Sequence, residues 1–296
     1  MTSLDLQEVI TSSIHSNIFQ NYDIDVLRTD LIHPVVSGNK WYKLKLHIEE
    51  AKKMGKNTIA TFGGAYSNHI LATAFACKVF GMDSVGIIRG EKPAQLSHTL
   101  QAAQQYGMLL HFVSRYVYDD KEGLKKYFNS DCFWVNEGGF SELGMLGAAD
   151  ILKECDNPEK YSHIVCSCGT GTMIAGLLHV AKEHQQVIGI SALKSHTGLE
   201  SDVLKLLPSH QQKQPVIFHN YHFGGYAKHP PELINWMNLL WQEVQIPTDI
   251  VYSSKLFFAV KDLIEQQYFK PNDKILIIHC GGLQGNLSLP ANTLNF

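Results

Sequence analysis

The sequence predicts an α/β protein with two domains built on open, mostly parallel sheets. Short apolar runs rich in Val, Ile and Phe alternate with amphipathic stretches along the chain. Three such runs stop at glycine turns, where strands hand over to helices. A chain of 296 residues, 45% hydrophobic and 18% charged, is long enough to bury one large core or two ordinary ones.

The strand candidates, in order, are "NTIATF" (57–62), "DSVGIIR" (83–89), "MLLHFVS" (108–114), "HIVCS" (163–167), "QVIGISAL" (186–193), "QPVIFH" (214–219) and "KILIIH" (274–279). Each is short, apolar and β-branched, the composition of a strand covered on both faces. Between them, "KLKLHIEEAKKMG" puts Leu44, Ile48 and Ala51 on one helix face, allows a Glu49–Lys53 pair and stops at Gly55. "SNHILATAFACKVFG" has Ser67 as N-cap, turns Ile70, Ala74 and Cys77 inward and ends at Gly81. "MIAGLLHVAKEH" (173–184) continues a glycine turn as a helix. In "PPELINWMNLLWQEV", Leu233, Trp236, Met237, Leu240 and Trp241 form a broad face that core packing explains. The polar stretch at 153–162 is the expected seam between two units.

A net charge of −3 and the lack of a dense Lys/Arg stripe speak against nucleic-acid and membrane partners, which need a concentrated positive field. The first residues show no basic stretch followed by an apolar run, and no segment is apolar for a bilayer's width, so the expected location is cytoplasmic. Six cysteines, with only Cys166 and Cys168 close together, make neither a disulfide framework nor a metal motif. They are read as reduced, packed thiols, and no metal is expected.

The most informative turn is "CSCGTGTMIAG", where a strand runs through Gly169, Thr170, Gly171 and Thr172 into a helix. Glycines admit an anion close to the backbone, and free amides at the helix start donate to it. A P-loop would need a lysine that is missing. A dinucleotide site would want Gly or Ala where Ile174 stands, and an acidic residue after the next strand. A cofactor with a single phosphate remains, as does a turn with no ligand. Lys40 adds to the first possibility. It sits on a Ser-Gly-Asn shoulder just before a run of helix formers, where the dipole disfavours an ammonium. Burial and the dipole both push such an amine toward its neutral, nucleophilic form, as capture of pyridoxal phosphate requires.

The segments "SGNKWYKLKLHIEEA", "TFGGAYSNHILATAFACKVFGM", "NEGGFSELGMLGAADIL", "CSCGTGTMIAGL", "DIVYSSKLFFAV" and "ILIIHCGG" occur in the order of a known family. In them the chain resembles the fold-type-II pyridoxal-phosphate enzymes, specifically the branch of D-cysteine desulfhydrase and 1-aminocyclopropane-1-carboxylate deaminase. The resemblance implies a tryptophan synthase β-like architecture. Residues 1–44 and 158–296 would form a large cofactor-binding unit, and 45–157 a small unit carrying the SNH helix. It implies pyridoxal 5'-phosphate as cofactor, a small amino acid as substrate and a homodimer.

Carried over, the resemblance makes Lys40 the Schiff-base lysine. Asn68 would bond the cofactor's phenolic oxygen, and Gly169, Thr170, Gly171 and Thr172 its phosphate, although Thr172 stands where Gly or Ser is usual. Ser67 would face the substrate carboxylate while also capping its helix. His69 would lie near the substrate, and Tyr252 would flank the reacting carbon and exchange a proton there. Ser253 after Tyr252 and Cys280 after His279 would bind the cofactor at the two positions where the branches differ, one or the other near the pyridine nitrogen. The deaminases carry Glu and Leu there and the desulfhydrases small polar residues, so both positions lean toward desulfhydrases. Cys280 replaces the usual threonine, and Tyr42 stands where a basic residue is usual. The expected reaction is elimination from D-cysteine to pyruvate, ammonia and sulfide, with the cyclopropane deaminase as alternative. A protein that binds pyridoxal phosphate or an anionic metabolite without turnover is the reading from another class.

Overall fold

The computed structural model describes residues 4–128, 131–194, 197–211 and 213–296. Among the described residues, ten strands form two sheets. The larger contains β1 (Thr11–Ile14), β2 (Asp23–Leu27), β7 (His163–Cys168), β8 (Gln186–Ser191), β9 (Val216–Phe218) and β10 (Lys274–Ile278), ordered β1-β2-β10-β7-β8-β9. The smaller contains β3 (Thr58–Gly63), β4 (Asp83–Arg89), β5 (Leu109–Val113) and β6 (Phe133–Val135), ordered β5-β4-β3-β6. Every pairing is parallel except β1 with β2.

The central strands are apolar throughout because both faces are covered. Along β10, Leu276 and Ile278 enter one core with Ile164 and Cys166, whereas Ile275 and Ile277 enter the other with Val165 and Ile188. The first core is closed by α6 (Glu142–Ala149), α7 (Thr172–Val180) and α8 (Leu199–Leu206), and the second by α9 (Pro231–Val244) and α10 (Ser253–Glu265). Around the small sheet lie α1 (Asn39–Lys53), α2 (Asn68–Phe80), α3 (His98–Gln105), α4 (Arg115–Tyr118) and α5 (Lys121–Phe128). Helix α1 belongs to both units: Leu44, Ile48 and Ala51 pack into the small core, and Tyr42 into the large one.

All seven strands read from the sequence are present, to within a few residues at their ends. Three others escaped it. Polar "TSSI" is an edge strand, β6 has only three residues, and β2 carries two aspartates, of which Asp25 is buried. Ser13 and Tyr161 donate hydrogen bonds to that carboxylate and Lys160 pairs with it, which makes the acid tolerable inside. Four local expectations are corrected. Lys40 lies inside the first turn of α1 rather than before the helix. Lys53 pairs with Glu50, at 3.7 Å, in place of Glu49. Helix α7 stops at Val180, because Ala181 is already extended. Trp241 is half-buried at the margin of its face, against Phe296. The six cysteines are free thiols, and among the described residues no helix is long and apolar enough to cross a membrane.

Candidate active site

The predicted site residues converge at the carboxyl ends of β3, β7 and β10, where loops and helix starts of both sheets meet. Helix α1 starts at Gly38, which takes φ +62° and touches the turn after β10; a Cβ here would drive into the Cys280 carbonyl. That contact brings Lys40 beside the end of the large sheet. Its Nζ donates to Asn39 Oδ1 at 2.5 Å and lies 5.8 Å from the Tyr252 ring centre. Protein atoms surround it on most sides, yet it keeps partial access to the cleft. Burial drives its pKa down, with Cys280 and Asp249 opposing.

The loop after β7 holds Gly169, Thr170, Gly171 and Thr172, with Gly171 at φ +83° as the N-cap of α7. The Thr170 and Thr172 hydroxyls lie 3.0 Å apart, and Thr170 rests against Gly138 of the "NEGG" turn after β6. The neighbouring Gly139 lies alongside the stem of Lys43. Lys43 is a residue the sequence reading missed. Only 6% exposed, it has a pKa lowered to about 7 by burial, then by the Lys40 charge. A lysine in an amphipathic helix reads as solvated, and only the packing of α1 on α6 turns this one inward.

Helix α2 brings three further candidates. Ser67 is its N-cap, the hydroxyl accepting from Ile70 N at 3.3 Å. Asn68 is buried beside Gly282, and its carboxamide has no hydrogen-bond partner among the described residues. His69 is also buried, with a fixed tautomer. Thr61 donates its one hydroxyl proton to the Val135 carbonyl at 2.8 Å, so at 2.9 Å it must accept from His69 Nε2–H. Nδ1 is therefore a lone-pair acceptor, and it is unpartnered among the described residues. Burial, then the charge of Lys40, pushes the pKa of His69 well below its ordinary value and keeps the ring neutral.

Tyr252 precedes α10, close to Gly169: a Cβ on that glycine would sit 3.2 Å from Tyr252 Oη. Burial, followed by Tyr226 and Asp249, pushes its phenol well above the ordinary value, so it holds its proton. Two residues here were not anticipated. Asp249, fully buried, accepts from the amides of Val251, Tyr252 and Ser253 and from the Ser253 hydroxyl at 2.6 Å, tying off the start of α10. The hydroxyl of Ser253 is thus committed to Asp249. The second is Tyr226, 41% exposed, whose ring stands edge-on to Tyr252 at 6.0 Å. A tyrosine in an unpatterned loop gives no sequence signal. Cys280 is buried, its Sγ 3.4 Å from the Ile278 carbonyl.

The arrangement suits a small anionic aldehyde. Lys40 and Lys43 both approach the site, and neither has an ion pair among the described residues. The nearby carboxylate of Asp249 is already engaged by backbone amides. Two amines without an ion pair among the described residues, beside a helix start, fit a phosphate, a lysine whose pKa is lowered by burial fits capture of an aldehyde, and the free Asn68 carboxamide fits a polar ring substituent. The donors are two amines, a carboxamide and backbone amides, and among the described residues no His/Cys/Asp/Glu cluster could hold a metal.

The chain is similar to known proteins along most of its length. The profile of a family described as "Pyridoxal-phosphate dependent enzyme" matches residues 26–281. The chain is 26% identical over 295 residues to the "Bifunctional D-cysteine desulfhydrase/1-aminocyclopropane-1-carboxylate deaminase, mitochondrial" of Arabidopsis thaliana, covering 88% of this chain and 72% of that one. A crystal structure described as an ACC deaminase homologue superposes with a TM-score of 0.82 at 25% identity, covering 96% and 92% of the two chains. A hydrogen sulfide-producing enzyme from Fusobacterium nucleatum shares the fold, with a TM-score of 0.68 at 14% identity over 93% and 94%.

Proposed function

Because the chain belongs to the pyridoxal-phosphate dependent enzymes, we propose that it is a lyase or deaminase of small amino acids, with D-cysteine as leading substrate. The carrying observation is the pairing of a burial-depressed amine, Lys40, with Lys43, which has no ion pair among the described residues and whose stem lies against Gly139, next to the Gly138 that touches Thr170. The neutral side chains at 253 and 280 favour the desulfhydrase reaction, since neither supplies a carboxylate at those positions. The relatives' names support both this reaction and deamination of the cyclopropane acid.

In this reading Lys40 holds the aldehyde carbon, Asn68 the phenolic oxygen, and Gly169 to Thr172 with Lys43 the phosphate. When bound, the cofactor supplies an electron sink for a bond broken at the substrate Cα. The start of α2, with the Ser67 hydroxyl and the amides behind it, binds the substrate carboxylate in the favourable field of the helix. Lys40, released when the amine of the substrate takes its place on the aldehyde carbon, would then accept the α proton. Tyr252, kept protonated by burial, gives a proton to the departing sulfur. What is left of the substrate hydrolyses to pyruvate and ammonia. His69 offers an acceptor from the same helix turn, suited to a donor group and not to a carboxylate. The cyclopropane acid has no α proton, so its ring opening needs a nucleophile or a β-proton base, for which Ser67, Tyr252 and Lys40 are available.

A large unit of 1–44 and 158–296 and a small one of 45–157 are part of this reading; the two sheets support such a division, although α1 straddles one border and α6, within the small unit's range, packs into the large core. A homodimer and a reducing, cytoplasmic setting belong to the same reading, the latter supported by six free thiols. The test is product analysis. With D-cysteine the loaded protein should release equal amounts of sulfide and pyruvate; with the cyclopropane acid a deaminase would release ammonia without sulfide. A yellow protein that forms neither from any small amino acid would point to binding without turnover and sink the proposal.

A further inference from the structure

Lys255 is a buried amine that the reaction above does not use. It lies in the first turn of α10, three residues beyond Tyr252, and only 1% of it is exposed. The position is doubly unfavourable, since burial strips the ammonium of water and the helix dipole opposes it. Its hydrogen-bond partner is the backbone carbonyl of Gly225, at 2.8 Å. That carbonyl also accepts from Lys228 N at 3.2 Å, closing the turn between His222 and Lys228.

The turn is an improbable piece of backbone. Phe223, Gly224, Gly225 and Ala227 all take positive φ, at 51°, 93°, 127° and 55°, and two of these residues carry side chains that disfavour the region. Phe223, Gly224, Ala227, Lys228, His229 and Pro230 line an open depression, so the turn has room to relax. It is held by the ring of Phe223 against Phe258, by Gly224 N on His222 Nδ1, and by the amine of Lys255 from within. Its apex carries Tyr226, edge-on to Tyr252.

We propose that Lys255 is a positioning residue: its bond to the Gly225 carbonyl holds the 222–228 turn in its strained form and so keeps Tyr226 against Tyr252 at the cleft. This rests on the cleft being the active site, and burial of an amine at a helix start is the cost of a rigid wall there. The lowered pKa of Lys255, about 8, reflects that burial, with Asp249 opposing it.

The experiment compares the pyridoxal-phosphate-loaded wild type with Lys255→Met, Tyr226→Ala and the double variant, by amide exchange and by kinetics on D-cysteine. In Lys255→Met the Gly225 and Lys228 amides should exchange about 10-fold faster while those of α9 stay unchanged. KM should rise about 10-fold with kcat altered by less than about 3-fold, because the amine acts on the wall and not on reacting atoms. A merely structural loss would lower kcat through less folded enzyme and leave KM in place. The double variant should match Tyr226→Ala alone. Unchanged exchange, or KM effects that multiply in the double variant, overturns the proposal. Should Lys255→Met not fold, the wild type decides: Lys228 amide exchanging as fast as a free peptide refutes the inference. If no amino acid is turned over, the exchange measurements still judge Lys255, and only the enzymatic reading fails.

Discussion

Lys40 and Lys43 are three residues apart on one helix, and their surroundings give them different work. Lys40→Ala should abolish the visible absorbance of the loaded protein, and borohydride followed by peptide mapping should label residue 40 in the wild type; a label elsewhere would end the cofactor assignment. Lys43 makes a distinct prediction about pH. Its folded pKa of about 7 lies below the unfolded lysine value, 10.5, so between these limits the unfolded chain binds more protons. Stability of the cofactor-free protein should therefore rise from pH 7 toward 10. Inorganic phosphate should flatten the rise by pairing with the ammonium and raising its pKa, and Lys43→Met should remove that part of it. Thermal melts across this range, with and without phosphate, are the check. Lys40 and Ser67 stand out in the sequence because they sit at turns that interrupt a pattern, whereas Asn68 and His69 are reached through the family resemblance of the "SNH" segment. Lys43 was hidden, because a lysine at a regular helix position carries no mark of which way it faces.

At the scale of elements, helix starts do the positioning. The N-termini of α1, α2, α7 and α10 surround the cleft, and each is finished differently: by Gly38, by Ser67, by Gly171 and by Asp249 with Ser253. Ser67→Ala should cost about 1 kcal/mol of stability as a lost cap. It should also raise KM for the substrate, whereas Ser67→Thr should restore the stability first. Denaturant midpoints alongside kinetics separate the two roles. Gly38→Ala should fail more severely, because its φ of +62° and the Cys280 carbonyl both forbid a side chain; loss of pyridoxal-phosphate binding in a protein that still folds is the expected result. The glycine turns were legible because backbone freedom needs a particular residue. The capping by Asp249 was not, since an aspartate four residues before a serine is compatible with many loops.

For the whole molecule, the parallel strands of two sheets point their carboxyl ends at one cleft, and α1 joins the sheets. Far from that cleft, Asp25 links β1, β2 and the segment at 160–161. Burial alone would raise its pKa, but hydrogen bonds from Lys160, Ser13 and Tyr161 outweigh it and hold the carboxyl below its ordinary 3.8. The stability it contributes is present above that value and lost as pH falls through the folded pKa. Asp25→Asn should lower the denaturation midpoint at neutral pH, and the gap to wild type should close in strong acid. A gap that persists there would mean that Asp25 acts by packing and not by charge.

Strand and helix periodicity, glycine turns and the Lys40 and SNH motifs are properties of neighbouring residues, and they were enough for the α/β class, most elements and the type of cofactor. Strand β2 with its buried acid, the inward turn of Lys43, the tautomer of His69 and the meeting of Tyr226 with Tyr252 depend on partners remote in the chain. Packing sets those environments: burial and hydrogen bonding depend on what surrounds a group in space, and a linear pattern records only what precedes and follows it.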